Sequence, residues 1–411
     1  MLTAKQSDLL TATGPGTPMG DVIRRYWLPA LLSWELPEPD CPPVRLRLLS
    51  EDLVAFRATD GRLGILEEFC AHRGTSLWLA RNEENGLRCV FHGWKYDVDG
   101  RCVDQMNEPT PFAEKIRLRS YPAVELGGVV WVYMGPPDDR PPEPRFAWTQ
   151  VPESHRHVTK VLQESNWLQA FEGGIDISHV PILHRSLTTS SAEGYATTDP
   201  FVAGSGLQVE VDPTDYGFRY FGVFALGPDE TYVRAYHCVM PFTQIRPDKR
   251  DRVYGHYWVP VDDETCMTWN WYYSTTDEPL ADAERSEERF GNGPGDVDQN
   301  TFVAHRNARN GYMLDRRHQR ERNFTGIEGI NAQDRAVQES MGRIVNRTRE
   351  HLGPADKTII AARKMLFDAI QTVQDGGAPP GTGASHHAAR ATQRVVPNGT
   401  DWRAAVLPDM G

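Results

Sequence analysis

No stretch of this 411-residue chain approaches the ~20 consecutive apolar residues that a membrane-spanning helix needs. The opening residues, MLTAKQSDLLTATGPGTP, lack a cationic stretch leading into an apolar one, so no secretory signal is expected. The chain therefore reads as soluble and cytoplasmic. It also lacks any Lys/Arg-rich run. With 44 basic against 56 acidic residues, a formal net charge of −12 makes a phosphate backbone a poor partner, which argues against nucleic acid. Cysteine is scarce: Cys41, Cys70, Cys89, Cys102, Cys238 and Cys266 are spread too thinly to form a disulfide framework. No internal repeat is visible.

What is present is ample material for a core, 39% hydrophobic and 10% aromatic, in a length that suits two or three domains. Residues 4–27 read as helical around the turn-rich TGPGTPMG. Residues 43–60 alternate apolar and polar and end in Asp60-Gly61, a hairpin signal. Short strand patterns continue to about residue 135 and stop at GPPDDRPPEP, which breaks helix and strand alike and marks a domain boundary. Residues 163–180 then predict a helix. Alternating aromatic segments at 216–224, 231–242, 253–260 and 266–274 predict a second antiparallel sheet. Helical periodicity returns at 331–351 and 356–372, and the tail from Gly376 is flexible by composition. A small β domain followed by a larger α+β domain is expected.

Two compact pairs stand out. Cys70-Ala71-His72-Arg73-Gly74 is followed by Cys89-Val90-Phe91-His92-Gly93-Trp94. Each loop offers one thiolate and one imidazole, and the sixteen residues between His72 and Cys89 suffice for a hairpin that brings the loops together. Two thiolates on one iron and two imidazoles on the other describe a Rieske [2Fe–2S] centre. Gly74 and Gly93 let the backbone come close to such a cluster. Zinc also accepts two Cys and two His, but its sites usually pair Cys with Cys and His with His.

The second constellation is Glu172, Asp176 and His179, spaced to share one helical face, with His184 five residues further on. A straight helix would turn His184 away, but a kink at Pro181 could bring it back. Two imidazoles and one carboxylate with open positions make the facial triad of non-haem Fe(II) oxygenases. The same residues could also be a polar helix face with satisfied histidines. A distant carboxylate is needed to complete a triad. Asp334 lies one turn before Val337 on an apolar stripe with Met341, Ile344 and Val345, which would aim it inward. Equally, Asn331 as N-cap with Asp334 three residues on resembles a capping box. His237, His256 and His305 have no partner at ligand spacing and read as structural.

The segments CAHRG…CVFHGWKYDVDGRCVD, EGGIDISHVPILHR and INAQDRAVQESMG resemble the Rieske non-haem iron aromatic-ring-hydroxylating oxygenases, specifically the phthalate dioxygenase-like branch. The likeness runs from GPGTPMG to Trp402. It implies that Cys70, His72, Cys89 and His92 ligate the cluster and that His179, His184 and Asp334 ligate a mononuclear Fe(II). It gives Asp176 the place of the aspartate that bridges to a cluster histidine of the neighbouring subunit. The implied fold is α+β: a Rieske antiparallel β domain followed by a helix-grip (START-like) catalytic domain. The chain then divides into an N-terminal segment packing on the catalytic domain (1–42), the Rieske domain (43–145), the catalytic domain (146–375) and a C-terminal tail (376–411). The implied partners are an aromatic substrate, O₂ and a reductase carrying FMN and a plant-type [2Fe–2S] cluster, fed by NAD(P)H. The implied assembly is a head-to-tail homotrimer, sometimes stacked as a hexamer.

For the substrate, Arg219, Arg234 and Arg246 lie among aromatics in strand-like segments. A guanidinium within aromatic walls suits an aromatic carboxylate. In the strand reading Arg234 shares a face with Tyr232, Tyr236 and Met240, which makes it the first candidate and Arg219 the second. A surface arginine or a salt bridge is the plainer reading of either. The same branch contains O-demethylases of methoxylated aromatics, so ring hydroxylation and demethylation both stay open.

Overall fold

A computed structural model describes residues 1–192, 194–248 and 251–411. The first part of the chain forms three small antiparallel sheets. Strands Val44–Leu48, Glu51–Arg57 and Leu63–Glu67 make one. Strands Arg81–Glu83, Gly86–Arg88, Trp94–Tyr96 and Cys102–Gln105 make the second. The third pairs Trp27–Leu32 with Val129–Tyr133 and Ala123–Leu126. The expected single alternating run at 43–60 is in fact two strands. The chain reverses at Leu49 and Ser50, both in the left-handed region (φ 50° and 64°), and Asp60-Gly61 turns into the next strand. A separate core of Val54, Phe56, Leu66, Leu77, Leu87 and Tyr96 lies under the two Cys/His loops.

The larger part is built on one eight-stranded antiparallel sheet. Its strands are β1 (Arg156–Gln163), β2 (Ser205–Thr214), β3 (Gly217–Leu226), β4 (Glu230–Val239), β5 (Thr243–Pro247), β6 (Arg252–Pro260), β7 (Cys266–Ser274) and β8 (Thr392–Pro397). The order across the sheet is β1-β7-β6-β5-β4-β3-β2, and β8 pairs with β4. Alternation places Tyr254, His256 and Trp258 of β6 on the same face as Thr268 and Asn270 of β7, because His256 pairs with Asn270 in register.

Four helices matter to the site or its frame: α1 (Trp167–Ile175), α2 (Val180–Leu183), α3 (Ile330–Ser340) and α4 (Lys357–Gln374). The N-cap of α1 is Asn166, whose side-chain oxygen accepts the Leu168 N–H at 3.0 Å. Helix α1 lies against the sheet through Phe171 on Trp258, with ring centroids 5.8 Å apart. Gly174 permits this approach, since a Cβ there would meet the Trp258 ring at 2.0 Å. Leu366 and Ala369 bury one face of α4 in the main core.

Three sequence expectations are corrected. The segment 163–180 is not one helix: Gln163 ends β1 and α1 stops at Ile175. Helix α3 ends at Ser340, short of 351. The tail is not loose. Strand β8 pairs with β4 along Thr392–Pro397, and Val406 and Met410 are buried against Phe221 and Val233. No helix among the described residues is long and apolar enough to cross a membrane.

Candidate metal centres and the cavity beside them

The two Cys/His loops leave strand ends of the Rieske-like part and meet. The rings of His72 and His92 are edge-on, 4.4 Å between centroids, and His72 stacks on Trp94 at 4.6 Å. Each loop closes on itself: the Gly74 N–H donates to the Cys70 carbonyl and the Gly93 N–H to the Cys89 carbonyl, both at 2.9 Å. Both glycines have positive φ (73° and 78°), which a side chain would strain. Cys70 and Cys89 are buried free thiols. Burial, then the neighbouring Cys70, pushes the Cys89 thiol up. His72 Nδ1 is enclosed with no protein hydrogen-bond partner. Two crowded thiols and an unpartnered inward imidazole nitrogen fit a Rieske cluster, whose irons would take these ligands as thiolates and neutral imidazoles.

One sulfur has a further partner that the motif alone does not reveal. The Tyr96 hydroxyl lies 3.2 Å from Cys70 Sγ. Burial raises that hydroxyl far above its ordinary value, so it stays a donor. A donor to a cluster sulfur stabilises the more negative, reduced state. Tyr96→Phe is therefore expected to lower the cluster potential by about 40 mV, the equivalent of about 1 kcal/mol for a one-electron couple. A redox titration followed in the visible spectrum measures this, and an unchanged potential would remove the assignment.

The second centre forms where α1 gives way to α2. Asp176 has extended backbone, and its Oδ1 accepts the Ser178 N–H at 2.7 Å and the Ser178 hydroxyl at 2.8 Å. This local turn, not Pro181, ends the helix. Pro181 instead starts the one-turn α2, with His179 at its N-cap and His184 at its C-cap. The single face expected for Glu172, Asp176 and His179 does not exist. Glu172 points away and pairs with buried Arg347 (2.9 Å) and Arg363 (2.6 Å).

Asp334 arrives on α3. That helix begins at Ile330 after Gly329, so Asn331 is not its N-cap and Asp334 belongs to no capping box. The apolar stripe expected to face inward does not: Val337, Met341 and Ile344 are exposed, and the buried face carries Asn331, Gln333, Arg335 and Gln338. Asp334 Oδ1 lies 3.3 Å from His179 Nε2 and 3.2 Å from His184 Nε2. The three ligand atoms fall within 4.8 Å of one another.

The hydrogen atoms on these rings are fixed from behind. His179 Nδ1 meets Asp176 Oδ2 at 3.2 Å, and His184 Nδ1 meets Gln333 Oε1 at 2.8 Å. The Gln333 amide cannot be reversed without loss, because its Nε2 donates to the Ile327 carbonyl at 2.8 Å. Both rings therefore hold hydrogen on Nδ1 and turn Nε2, the atom left for a metal, toward the enclosed Asp334 Oδ1. Three electron-rich atoms in one place call for a cation. Burial raises Asp334, but the two imidazoles hold it far below the carboxylate range. Burial lowers His179, but Asp176 and Asp334 together lift it to about 10, so without a cation Nε2 carries a proton that metal binding would displace. The residues fit a two-histidine, one-carboxylate Fe(II) site.

A small cavity opens beside this triad. Besides His179, His184 and Asp334, its wall includes Gln244, Arg246, His256 and Trp258. Arg246 stacks over Tyr254 (4.3 Å) and Phe290 (5.7 Å), and no hydrogen bond or ion pair engages its guanidinium among the described residues. Arg234 and Arg219 are not in the wall. Arg234 is buried over Phe201 at 4.5 Å and donates to the Pro247 carbonyl at 2.8 Å; Arg219 sits on β3 opposite His237. Of the histidines read as structural, His237 bonds Tyr216 and the Arg390 carbonyl, and His305 meets the Gly295 carbonyl. His256 is different, since it faces the cavity. Its signal could have been found in the alternation of 253–260, which sets it on one face with Trp258.

Comparison with known proteins matches both parts of the chain to known families. Residues 26–122 match the Rieske [2Fe-2S] domain, and residues 132–408 match the LigXa C-terminal domain-like family. The chain is 35% identical to the phthalate 4,5-dioxygenase oxygenase subunit of Pseudomonas putida, over 98% of this chain and 94% of that one. It is 35% identical to the 3-chlorobenzoate-3,4-dioxygenase oxygenase subunit of Comamonas testosteroni, over 98% of each. Among solved structures, the reduced complex between oxygenase and ferredoxin in carbazole 1,9a-dioxygenase shares the fold, with a TM-score of 0.56 and 22% identity over 88% of this chain and 93% of that one.

Proposed function

The chain belongs to the phthalate dioxygenase-like branch of the Rieske non-haem iron oxygenases, and from that premise we propose that it oxidises an aromatic carboxylate whose acid group is held by Arg246. It is the terminal oxygenase component of such a system, an oxidoreductase that uses O₂ and electrons from a separate redox partner. It carries a Rieske [2Fe–2S] cluster and a mononuclear non-haem iron. In our reading Cys70, His72, Cys89 and His92 hold the first, and His179, His184 and Asp334 hold the second. When bound, the cluster supplies electrons one at a time and the mononuclear iron offers open positions to O₂.

The observation that carries the substrate class is the unpaired guanidinium in the cavity wall. A cation left without a carboxylate partner in a mostly enclosed site is suited to receive one from a ligand. Tyr254 and Phe290 lie against it, 4.3 and 5.7 Å from Cζ to the ring centroids, and limit how it can turn. The names of the two relatives above, a phthalate and a chlorobenzoate dioxygenase, agree with an aromatic acid.

Two exposed apolar patches support a head-to-tail trimer. Trp78, Leu79, Val90, Phe91 and Met106 are exposed on or near the cluster loops. Ile182, Phe324, Val337 and Met341 are exposed on or beside the segments that bring the triad together. Such surfaces are normally covered. The electron donor in this reading is an NAD(P)H-fed reductase carrying FMN and a [2Fe–2S] cluster.

The test is O₂ consumption coupled to such a reductase across phthalates and benzoates, with product identification. Arg246→Met is expected to raise KM for the preferred acid about a hundredfold, while iron content and visible spectrum stay unchanged. A KM within about twofold of the parent would exclude Arg246 as the carboxylate anchor.

A further inference from the structure

The cavity wall contains one acceptor as firmly defined as its donor. His256 Nδ1 meets Asn270 Oδ1 at 2.9 Å across the β6–β7 pair. Asn270 Nδ2 donates to Thr159 Oγ1 at 3.2 Å on β1, and the Thr159 hydroxyl donates to Glu287 Oε2 at 3.1 Å. The chain of bonds has one direction. Thr159 spends its only hydrogen on the carboxylate, so it must accept from the NH₂ end of Asn270. The oxygen end of Asn270 must then face His256, and it also accepts from Asn331 Nδ2 at 3.4 Å. His256 therefore carries its hydrogen on Nδ1 and presents a bare lone pair on Nε2.

Glu287 is buried, and burial pushes its carboxyl up to about 7. When that carboxyl takes up a proton, the Asn331 Nδ2 bond to Asn270 Oδ1 keeps the oxygen end of Asn270 toward His256. The direction of the chain holds in both states. Burial, then Arg246, keeps the His256 ring neutral. Among the described residues no protein group is bonded to His256 Nε2, and it is not among the enclosed unpartnered atoms, so it is reachable from the cavity. Gln244 pairs with His256 and Tyr254 with Arg246, which makes Arg246 and His256 diagonal neighbours on one face.

We propose that His256 is a specificity residue whose Nε2 accepts a hydrogen bond from a ring substituent of the substrate, so that the preferred substrate is an aromatic acid bearing a hydroxyl or amino donor. Asn270 and Thr159 are positioning residues that hold the tautomer. The inference rests on the aromatic-carboxylate reading, with Arg246 on the acid group and His256 on the donor of the same ring.

The probes are the hydroxybenzoate and aminobenzoate isomers, their methoxy counterparts, in which the donor is blocked, and benzoate itself. Dissociation constants are measured by titration calorimetry on the holoenzyme without O₂ or reductant. At least one donor-bearing isomer is expected to bind about tenfold tighter than benzoate and than its methoxy counterpart, the worth of one well-placed neutral hydrogen bond. In His256→Phe that preference disappears, the donor-bearing isomer and its methoxy counterpart binding within about twofold of each other. Thr159→Val, which does not touch the cavity wall, is expected to shrink the preference and serves if His256→Phe fails to fold. Benzoate binding that depends on Arg246, with no preference for any donor-bearing isomer, would overturn the role of His256 and leave the carboxylate reading intact. Failure of every benzoate to bind would overturn both.

Discussion

Asp334→Asn is expected to give a protein that keeps its cluster colour and loses its activity. The substitution preserves shape and removes the one anionic ligand, Oδ1, on which both His179 Nε2 and His184 Nε2 converge. An amide oxygen is a weaker ligand for Fe(II) than a carboxylate, and the NH₂ end, if turned inward, would point hydrogens at the metal position. Iron should fall from about three to about two per chain, since the loops at Cys70 and Cys89 are untouched. Turnover should drop at least about a thousandfold. Iron analysis beside the visible spectrum distinguishes this from unfolding, because global loss of structure would bleach the cluster too. A variant retaining about three irons and full turnover would show that Asp334 is not a ligand. His184→Ala should act alike but also leaves buried Gln333 Oε1 without its partner, so a loss of stability is expected on top.

How much of this was legible depends on how far apart in the chain the cooperating residues lie. The two Cys/His loops are legible in the sequence because each is a few residues long and carries its own Cys and His. His179 and His184 were readable as a pair, but the reason offered for their convergence was wrong. Pro181 is a tempting breaker, yet the break comes five residues earlier, where the Asp176 carboxylate captures the Ser178 N–H. A side chain bonding its own backbone competes with the helix locally and leaves little trace in periodicity. Asp334 was half legible. The stripe of Val337, Met341 and Ile344 has the spacing of a core face, yet these side chains are exposed and the helix buries Asn331, Gln333, Arg335 and Gln338 instead.

Sheet register hid the rest. Arg219, Arg234 and Arg246 look equivalent in the sequence, and only the pairing of β5 with β6 sets Arg246 beside the triad while Arg234 is spent on the Pro247 carbonyl. His256 was read as structural because its partners, Asn270 and through it Thr159 and Glu287, lie on other elements. The tail misled by composition. GGAPPGTGAS is a connector, but the strand after it, Thr392–Pro397, completes the edge shared with β4.

Asp176→Asn is expected to keep both metal sites and lower turnover about a hundredfold or more. The two iron-site imidazoles are backed differently, and the contrast explains why. His184 is backed by Gln333, a neutral amide that is fully buried (0% exposed) and tied to the Ile327 carbonyl. His179 is backed by Asp176, a carboxylate whose side chain is 17% exposed. A neutral amide would suffice to orient a ring, as Gln333 does, so orientation alone does not require a charge at Asp176. Its two oxygens are also divided: Oδ1 is held by Ser178, and Oδ2 takes His179. The carboxylate lies a few residues from exposed Ile182, within the surface we assign to a neighbouring subunit. A partly exposed anion bonded to one imidazole is suited to bond a second, such as a cluster histidine across that interface. Asn at 176 can still orient His179, but it offers a single acceptor oxygen and no charge to share between two rings. The expected signature is therefore specific: iron content and visible spectrum as in the parent, substrate affinity within about twofold, and slow reoxidation of the chemically reduced cluster by O₂ in the presence of substrate. Gln333→Ala is the control, expected to weaken iron retention without that pattern. If Asp176→Asn turned over at the parent rate, the bridging role would be withdrawn, and the carboxylate would be no more than a brace for His179.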